Sequence, residues 1–228
     1  MATHLVNLIP AHLRYIEPFA GNAACARALR RAPEAVLIER DRRQARRLAV
    51  ELPAHRVLCT DAIAWLEKHA PTFGPETVIY ADPPYPIEDR RAGRRLYLHE
   101  LTAADHDRLC RALMATKARV LVSGLPWGRY PHLYGRWHRH EFNVGLRSGR
   151  PGVECVWANF ADPFPLHDYR YFGADKRRRQ DLRRQVTRNL AVFRRMDRHR
   201  RAAVLGALVE EFAEVLAGVS ASRAGVRT

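Results

Sequence analysis

Val78-Ile79-Tyr80-Ala81 is an apolar run of strand length, and Asp82-Pro83-Pro84-Tyr85 follows it without a break. A parallel strand ending this way delivers its turn to the crevice outside the carboxyl edge of the sheet, where open α/β folds take their ligands. The two prolines preset φ and lack an N–H, so the turn is stiff, and Asp82 and the Pro83 carbonyl become two fixed acceptors. The ring of Tyr85 comes next. Two acceptors beside a ring suit a planar amine, such as the exocyclic amino group of a nucleobase whose face the ring supports. Asp82, Pro83, Pro84 and Tyr85 are thus the candidate catalytic residues. The competing reading is a proline-rich turn in which Asp82 caps a helix and Tyr85 packs in the core.

Outward from this strand, short apolar runs alternate with helical patterns, the signature of a mostly parallel sheet covered by helices on both faces. The pattern predicts strands over 14–19, 35–39, 56–60, 77–81 and 119–123 and helices over 23–31, 42–52, 62–68 and 103–115. Asp61 and Thr102 are placed to cap helices. Two further strands, 138–144 and 153–160, flank the turn-rich Arg147-Ser148-Gly149-Arg150-Pro151-Gly152 and read as an antiparallel hairpin at one edge of a seven-stranded sheet. Residues 1–160 form the expected catalytic domain. Residues 161–228 form a basic helical extension packed on it, with an amphipathic helix over 202–216 and a frayed tail beyond 218.

Acids recur at the strand ends. Glu17-Pro18-Phe19-Ala20-Gly21-Asn22 closes the first strand and opens a helix, Glu39 ends the second and Asp61 the third. Gly21 lets the backbone approach a ligand closely, while the absence of GxGxxG disfavours a nicotinamide or flavin site. An acid after the second strand commonly bonds ribose hydroxyls in this architecture, and a carboxylate after the third can accept from an adenine amino group. Any one of these acids alone reads as a cap. Three in succession, followed by Asp82 on the fourth, indicate a shared site.

The 228 residues carry 39 Lys+Arg against 24 Asp+Glu, a formal charge of +15, with 47% hydrophobic residues, which excludes wholesale disorder and favours a polyanionic partner. Candidate phosphate contacts are Arg90, Arg91, Arg94 and Arg95 after the catalytic turn, Arg129 in a Trp-Gly-Arg-Tyr turn, and Arg147 and Arg150 at the hairpin tip. Lys176, Arg177, Arg178 and Arg179 join them at the head of a stretch with twelve Lys+Arg and two acids between 176 and 201. The four scattered cysteines read as buried thiols. Neither they nor His99, His106 and His140 have metal-ligand spacing, so no metal is expected. No apolar run approaches ~20 residues and the first residues lack signal-peptide character, so a cytosolic protein without membrane contact is expected.

These pieces together resemble the Dam-type class of N6-adenine DNA methyltransferases. Residues 17–24 match its EPFAGxG motif and 82–85 its DPPY motif. Downstream, Tyr97-Leu98-His99-Glu100-Leu101-Thr102 with Asp105-His106, then Val120-Leu121-Val122-Ser123-Gly124, then residues 154–160 keep the family's order and spacing over roughly residues 5 to 200. The resemblance implies a bacterial or phage-like enzyme with a Rossmann-like methyltransferase fold and S-adenosylmethionine as cofactor. The cofactor would lie against Glu17, Pro18, Phe19, Ala20, Gly21, Asn22, Glu39, Asp61 and Ala62. The substrate would be DNA with a flipped adenine, its amino hydrogens held by Asp82 and the Pro83 carbonyl and its face stacked on Tyr85. Three departures stand out. Residues 1–6 carry neither lysine nor glycine, where the family usually opens with a Lys-containing, Gly-rich segment. The motif's second glycine is Ala23, a mild change at negative φ and a severe one at positive φ. Only residues 62–76 separate the third and fourth strands, where the family carries its recognition region, so relaxed sequence preference is expected. RNA adenine, the cytosine N4 amine and a catalytically silent nucleic-acid-binding protein are the alternatives.

Overall fold

The computed structural model describes residues 2–90, 97–145, 151–161, 163–173 and 175–224. A short helix α1 (Ala2–Leu5) and a 3-10 turn (Val6–Leu8) lead into β1 (Arg14–Glu17), α2 (Ala24–Ala28), β2 (Glu34–Ile38), α3 (Arg42–Glu51) and β3 (Arg56–Leu58). There follow α4 (Ala62–His69), β4 (Thr77–Ala81), α5 (Ala103–Met114), β5 (Arg119–Gly124), α6 (Tyr130–Tyr134), β6 (His138–Gly145) and β7 (Pro151–Ala158). The strands form one sheet of order β3-β2-β1-β4-β5-β7-β6, parallel from β3 to β5, with β7 antiparallel to both its neighbours. This is the α/β, Rossmann-like, seven-stranded architecture expected, with the hairpin at the edge.

The sheet is buried on both faces, which is why β4 is apolar throughout rather than alternating. Ile16, Ile79, Val120, Val122 and Trp157 meet α4, α5 and α6 on one face, while Tyr15, Val78, Tyr80, Leu121 and Val156 meet α1, α2 and α3 on the other. The change of face falls between β1 and β4. It makes a topological switch point there, where flanking loops diverge and leave a crevice at the carboxyl ends of the strands.

Caps set the helix starts. Asp41 accepts from the Arg43 and Gln44 amides, Asp61 accepts from Ala64, and Thr102 forms a capping box with Asp105. Helix α2 ends earlier than its pattern predicts, because the Arg30 amide is bonded by Asp168 and the Leu29 backbone is extended. Helix α6 was not foreseen. Its Trp-Gly-Arg-Tyr-Pro start reads as a turn, yet Pro131 fits a first helical turn and Tyr130 and Tyr134 are buried one turn apart. Three cysteines are buried, but Cys59 is exposed, just after the short edge strand β3.

Residues 163–173 fold back on the start of the chain. The Ala11 amide donates to the Pro165 carbonyl and the His167 amide to Ile9, and His12 stacks on His167 with centroids 3.9 Å apart. Beyond them come α7 (Lys176–Arg195), α8 (Arg198–Glu211) and α9 (Ala213–Ala224). The extension is helical, but α7 and α8 bury no residue, and Leu205, Val209 and Phe212 are exposed. Residues 163–173 are bonded to the start of the chain and to the end of α2, and α7 is bonded to residues 170 and 173. The stretch expected to fray from 218 continues as helix to Ala224. Among the described residues, no helix is long and apolar enough to cross a membrane.

Candidate active site

At the switch point lies a cleft of about 790 Å³, within the range of ~300–1,000 Å³ common for small-molecule sites. The loop after β1 forms its floor, with Glu17, Pro18, Phe19, Ala20, Gly21 and Asn22 along it. Glu39 enters from β2, Asp61 and Ala62 from the start of α4, and Asp82 and Pro84 from the end of β4. Sequence separations of tens of residues thus close into one site through the parallel order of the strands. The Gly21 amide donates to Glu39 Oε2 at 2.8 Å, and the Asp41 amide donates to Glu39 Oε1 at 2.8 Å. Gln44 Nε2 donates to the Gly21 carbonyl at 2.5 Å, which ties the loop to α3.

The loop bends through two residues at positive φ. Gly21 has φ +50°, and a side chain there would meet nothing within 4 Å, so the glycine serves the backbone angle while open space adjoins it. Ala23 has φ +51° and is fully buried at the start of α2. The severe case of the Ala23 departure therefore holds, and a left-handed alanine costs about 1 kcal/mol that glycine would avoid. The loop keeps the conformation nonetheless, because the Ala23 amide bonds the Ala20 carbonyl and the methyl packs among the core residues of that face.

Six carboxyl groups of the described residues line the cleft, Glu17, Glu39, Asp41, Asp61, Asp82 and Glu154, and burial raises the pKa of three of them. Glu17 is buried and accepts from the Tyr15 hydroxyl at 2.9 Å and the Ala26 amide at 3.0 Å; burial nonetheless pushes its pKa up to about 8, with the charge of Asp82 adding to the effect. Asp82 opens to the cleft rather than into the interior, yet protein surrounds it on the remaining sides. Desolvation first, and the charge of Glu154 second, push its pKa up to about 6, against hydrogen bonds from the Tyr85 and Tyr80 hydroxyls. Glu154, half-buried on β7, is raised by burial. At neutral pH Glu17 is therefore protonated, while Asp82 is ionised and aimed at the space a ligand would fill.

The remaining candidates divide. Pro84 lines the cleft, whereas Pro83 is buried and is not among the lining residues. Tyr85 stands behind the turn, packed edge-on to Tyr130 at 6.1 Å, and Tyr97, Leu98 and His99 wall the cleft instead. Arg90 is not presented to a phosphate. Its guanidinium is buried in an ion pair with Glu100, donates to the Tyr85 carbonyl and lies 5.2 Å from the Tyr97 ring centroid, so it braces the turn. Arg129 pairs with Asp107 at 2.8 Å. Lys176, Arg177 and Arg178 are exposed at the head of α7, and Arg179 bonds the Gly173 carbonyl. Arg91, Arg94, Arg95, Arg147 and Arg150 lie outside the described residues. Sequence reasoning missed Glu154, whose only signal was a lone acid in an apolar strand, and the cationic rim of Arg40, Arg43 and Arg47. Among the described residues no group of three His, Cys, Asp or Glu stands close enough to hold a metal ion.

No protein-family model and no curated protein matches the chain. Several solved structures are similar to it. The Escherichia coli protein yhhF, assigned provisionally as a methyltransferase, is 22% identical with a TM-score of 0.42, covering 64% of this chain and 74% of its own. An S-adenosylmethionine-dependent methyltransferase from Agrobacterium tumefaciens is 15% identical with a TM-score of 0.41, covering 70% and 60%. The 23S rRNA methyltransferase ErmE is 15% identical with a TM-score of 0.41, covering 71% and 68%.

Proposed function

We propose that the chain is an S-adenosylmethionine-dependent methyltransferase acting on the N6 amino group of adenine in DNA. The observation that carries this reading is the pairing, across the switch point, of a glycine-bent loop with an ionised carboxylate held on a two-proline turn and open to the same cleft. The loop residues suit the cofactor. Gly21 leaves open space beside the backbone, and Glu39, already fixed by two amides, retains lone pairs for ribose hydroxyls. When bound, S-adenosylmethionine supplies an electrophilic methyl carbon on a sulfonium.

Adenine's amino lone pair is delocalised into the ring, so the protein must favour the pyramidal nitrogen. Asp82 and the Pro83 carbonyl would accept its two hydrogens and leave the lone pair facing the methyl carbon. Positioning of this kind is worth ~7–11 kcal/mol of barrier. Tyr80 and Tyr85 hold the Asp82 carboxylate from behind. Walls for the base come from Tyr97 and Leu98, with Arg90 and Glu100 keeping that segment in place. The short 62–76 connection supports relaxed sequence preference.

Transfer of labelled methyl to DNA and RNA oligonucleotides in parallel, followed by digestion and identification of the methylated base, tests the reading. N6-methyladenine in DNA is the expected product. Asp82→Ala should lower turnover by about 10²–10³, the loss seen when one preorganised transition-state contact is removed, with cofactor affinity little changed. Turnover above a tenth of wild type in that variant, or a product methylated on another atom, refutes it.

A further inference from the structure

A second hollow, of about 430 Å³, adjoins the cleft and is built from different chemistry. His4, Leu8, Phe142, Phe172, Arg178 and Leu182 line it. The His4 and Phe142 rings lie 5.8 Å apart, and Phe172 and Arg178 are exposed at its edge. Two juxtapositions show that the hollow and the cleft share a wall. Phe142 on β6 is the direct cross-strand partner of Glu154 on β7, so both side chains lie on one face of the sheet, one entering the hollow and the other the cleft. His4 lines the hollow while the next residue, Leu5, lines the cleft.

Aromatic rings with a cation at the rim are what a nucleotide needs, stacking for the base and charge for the phosphate. A hollow meant for an apolar peptide would have no use for the cations leading away from it. Arg178 belongs to α7, whose 20 residues carry nine Lys+Arg against one acid. We propose that this hollow holds the nucleotide adjoining the target adenine in the DNA strand, its base against Phe142 and Phe172 and its phosphate on Arg178. The inference rests on the reading of the cleft as a DNA methyltransferase site. It adds a second point of grip that a free nucleoside cannot use.

The test uses the full chain with S-adenosylhomocysteine and a short single-stranded DNA carrying 2-aminopurine either at the target position or beside it. In the wild type the flanking probe should be quenched on binding. Phe172→Ala, at an exposed position, and Phe142→Leu, which keeps apolar volume and removes the ring, should each restore its fluorescence. Each should weaken oligonucleotide affinity about tenfold, the worth of one stacked base. Arg178→Ala should weaken affinity and lower its salt dependence. Cofactor affinity and methylation of free deoxyadenosine should be unchanged in all three. Unchanged oligonucleotide affinity and flanking fluorescence in the variants, with DNA still methylated, overturn this inference alone. A wild type that binds the cofactor but no DNA overturns the underlying reading with it.

Discussion

If Asp82 must be ionised to hold the amine, the rate carries its titration. Its pKa of about 6 rather than 3.8 means about 97% ionisation at pH 7.5 and about 9% at pH 5, where an unperturbed aspartate would stay about 94% ionised. The titration is that of the free protein, so the relevant quantity is kcat/KM, which reports the free enzyme. It should fall about tenfold between pH 7.5 and pH 5, along a limb centred near 6. Glu154 supplies a cause that can be removed. Glu154→Gln keeps the side chain's shape and deletes the like charge, so the limb should move to lower pH with little change in the plateau. A purely structural role for Glu154 would lower the plateau and leave the limb in place. Initial rates of labelled-methyl transfer at seven or eight pH values, with circular dichroism on the same samples to exclude unfolding, decide the matter. A profile flat from pH 7.5 to 5, or a limb that stays put in Glu154→Gln, refutes the assignment.

Other consequences concern stability. His12 and His167 are buried together with pKa values lowered to about 3 and about 4, so unfolding takes up protons below about pH 6.5 and the stability present above it is lost as pH falls. At about 1.4 kcal/mol per pH unit per group, the pair should remove about 5 kcal/mol by pH 4.5; equal urea midpoints at pH 7 and 4.5 would contradict this. Glu17 runs the other way. Its folded pKa of about 8 exceeds the ordinary 4.5, so its contribution is complete below about pH 4.5 and is lost as pH rises toward 8. Glu17→Gln should therefore gain on the wild type by several kcal/mol more at pH 8 than at pH 5, read from thermal melts. Ala23→Gly exchanges relief of about 1 kcal/mol of left-handed strain for a lost buried methyl worth about 0.8 kcal/mol, and should change stability by less than about 1 kcal/mol. Ala23→Val should cost more than about 2 kcal/mol in urea unfolding, because branching at Cβ aggravates the same angle and overfills the core.

Much of this architecture could be read before any coordinates. Every strand of the sheet was anticipated, because a doubly covered sheet demands short apolar runs at regular intervals and the chain supplies them. Glu17, Glu39, Asp61 and Asp82 were legible as one site because each stands at a strand end, and parallel order carries strand ends to a common edge. Glu154 was not. It approaches the edge along an antiparallel strand, where its position depends on the register with β5, and register leaves no local mark. Arg90 misled for a related reason. An arginine-rich loop looks like a phosphate contact until Glu100 is placed opposite it, and nothing in the spacing of ten residues announces that ion pair. The C-terminal apolar face was legible as a pattern, but an amphipathic pattern does not show what covers the face.

An acidic cleft is at first sight a poor place to bring a polyanion, and its six carboxyl groups pose that difficulty for the proposed substrate. The structure reduces it in two ways. Burial keeps Glu17 protonated at neutral pH, which removes one charge where the loop after β1 begins. Positive charge stands beside the cleft on Arg40, Arg43 and Arg47, of which Arg40 pairs with Asp61 and Arg47 with Glu51, and along α7 beyond it. A neutral base extruded into the cleft meets acceptors, while the backbone it leaves behind stays among cations. This division predicts that DNA affinity falls with salt and with loss of the rim arginines, whereas Asp82→Asn, which removes a negative charge from the cleft, leaves affinity equal or higher while turnover collapses. Weaker DNA binding by Asp82→Asn at low salt would mean that the carboxylate grips the substrate's ground state rather than the reacting nitrogen, and the assignment of Asp82 to the methyl-transfer step would fail.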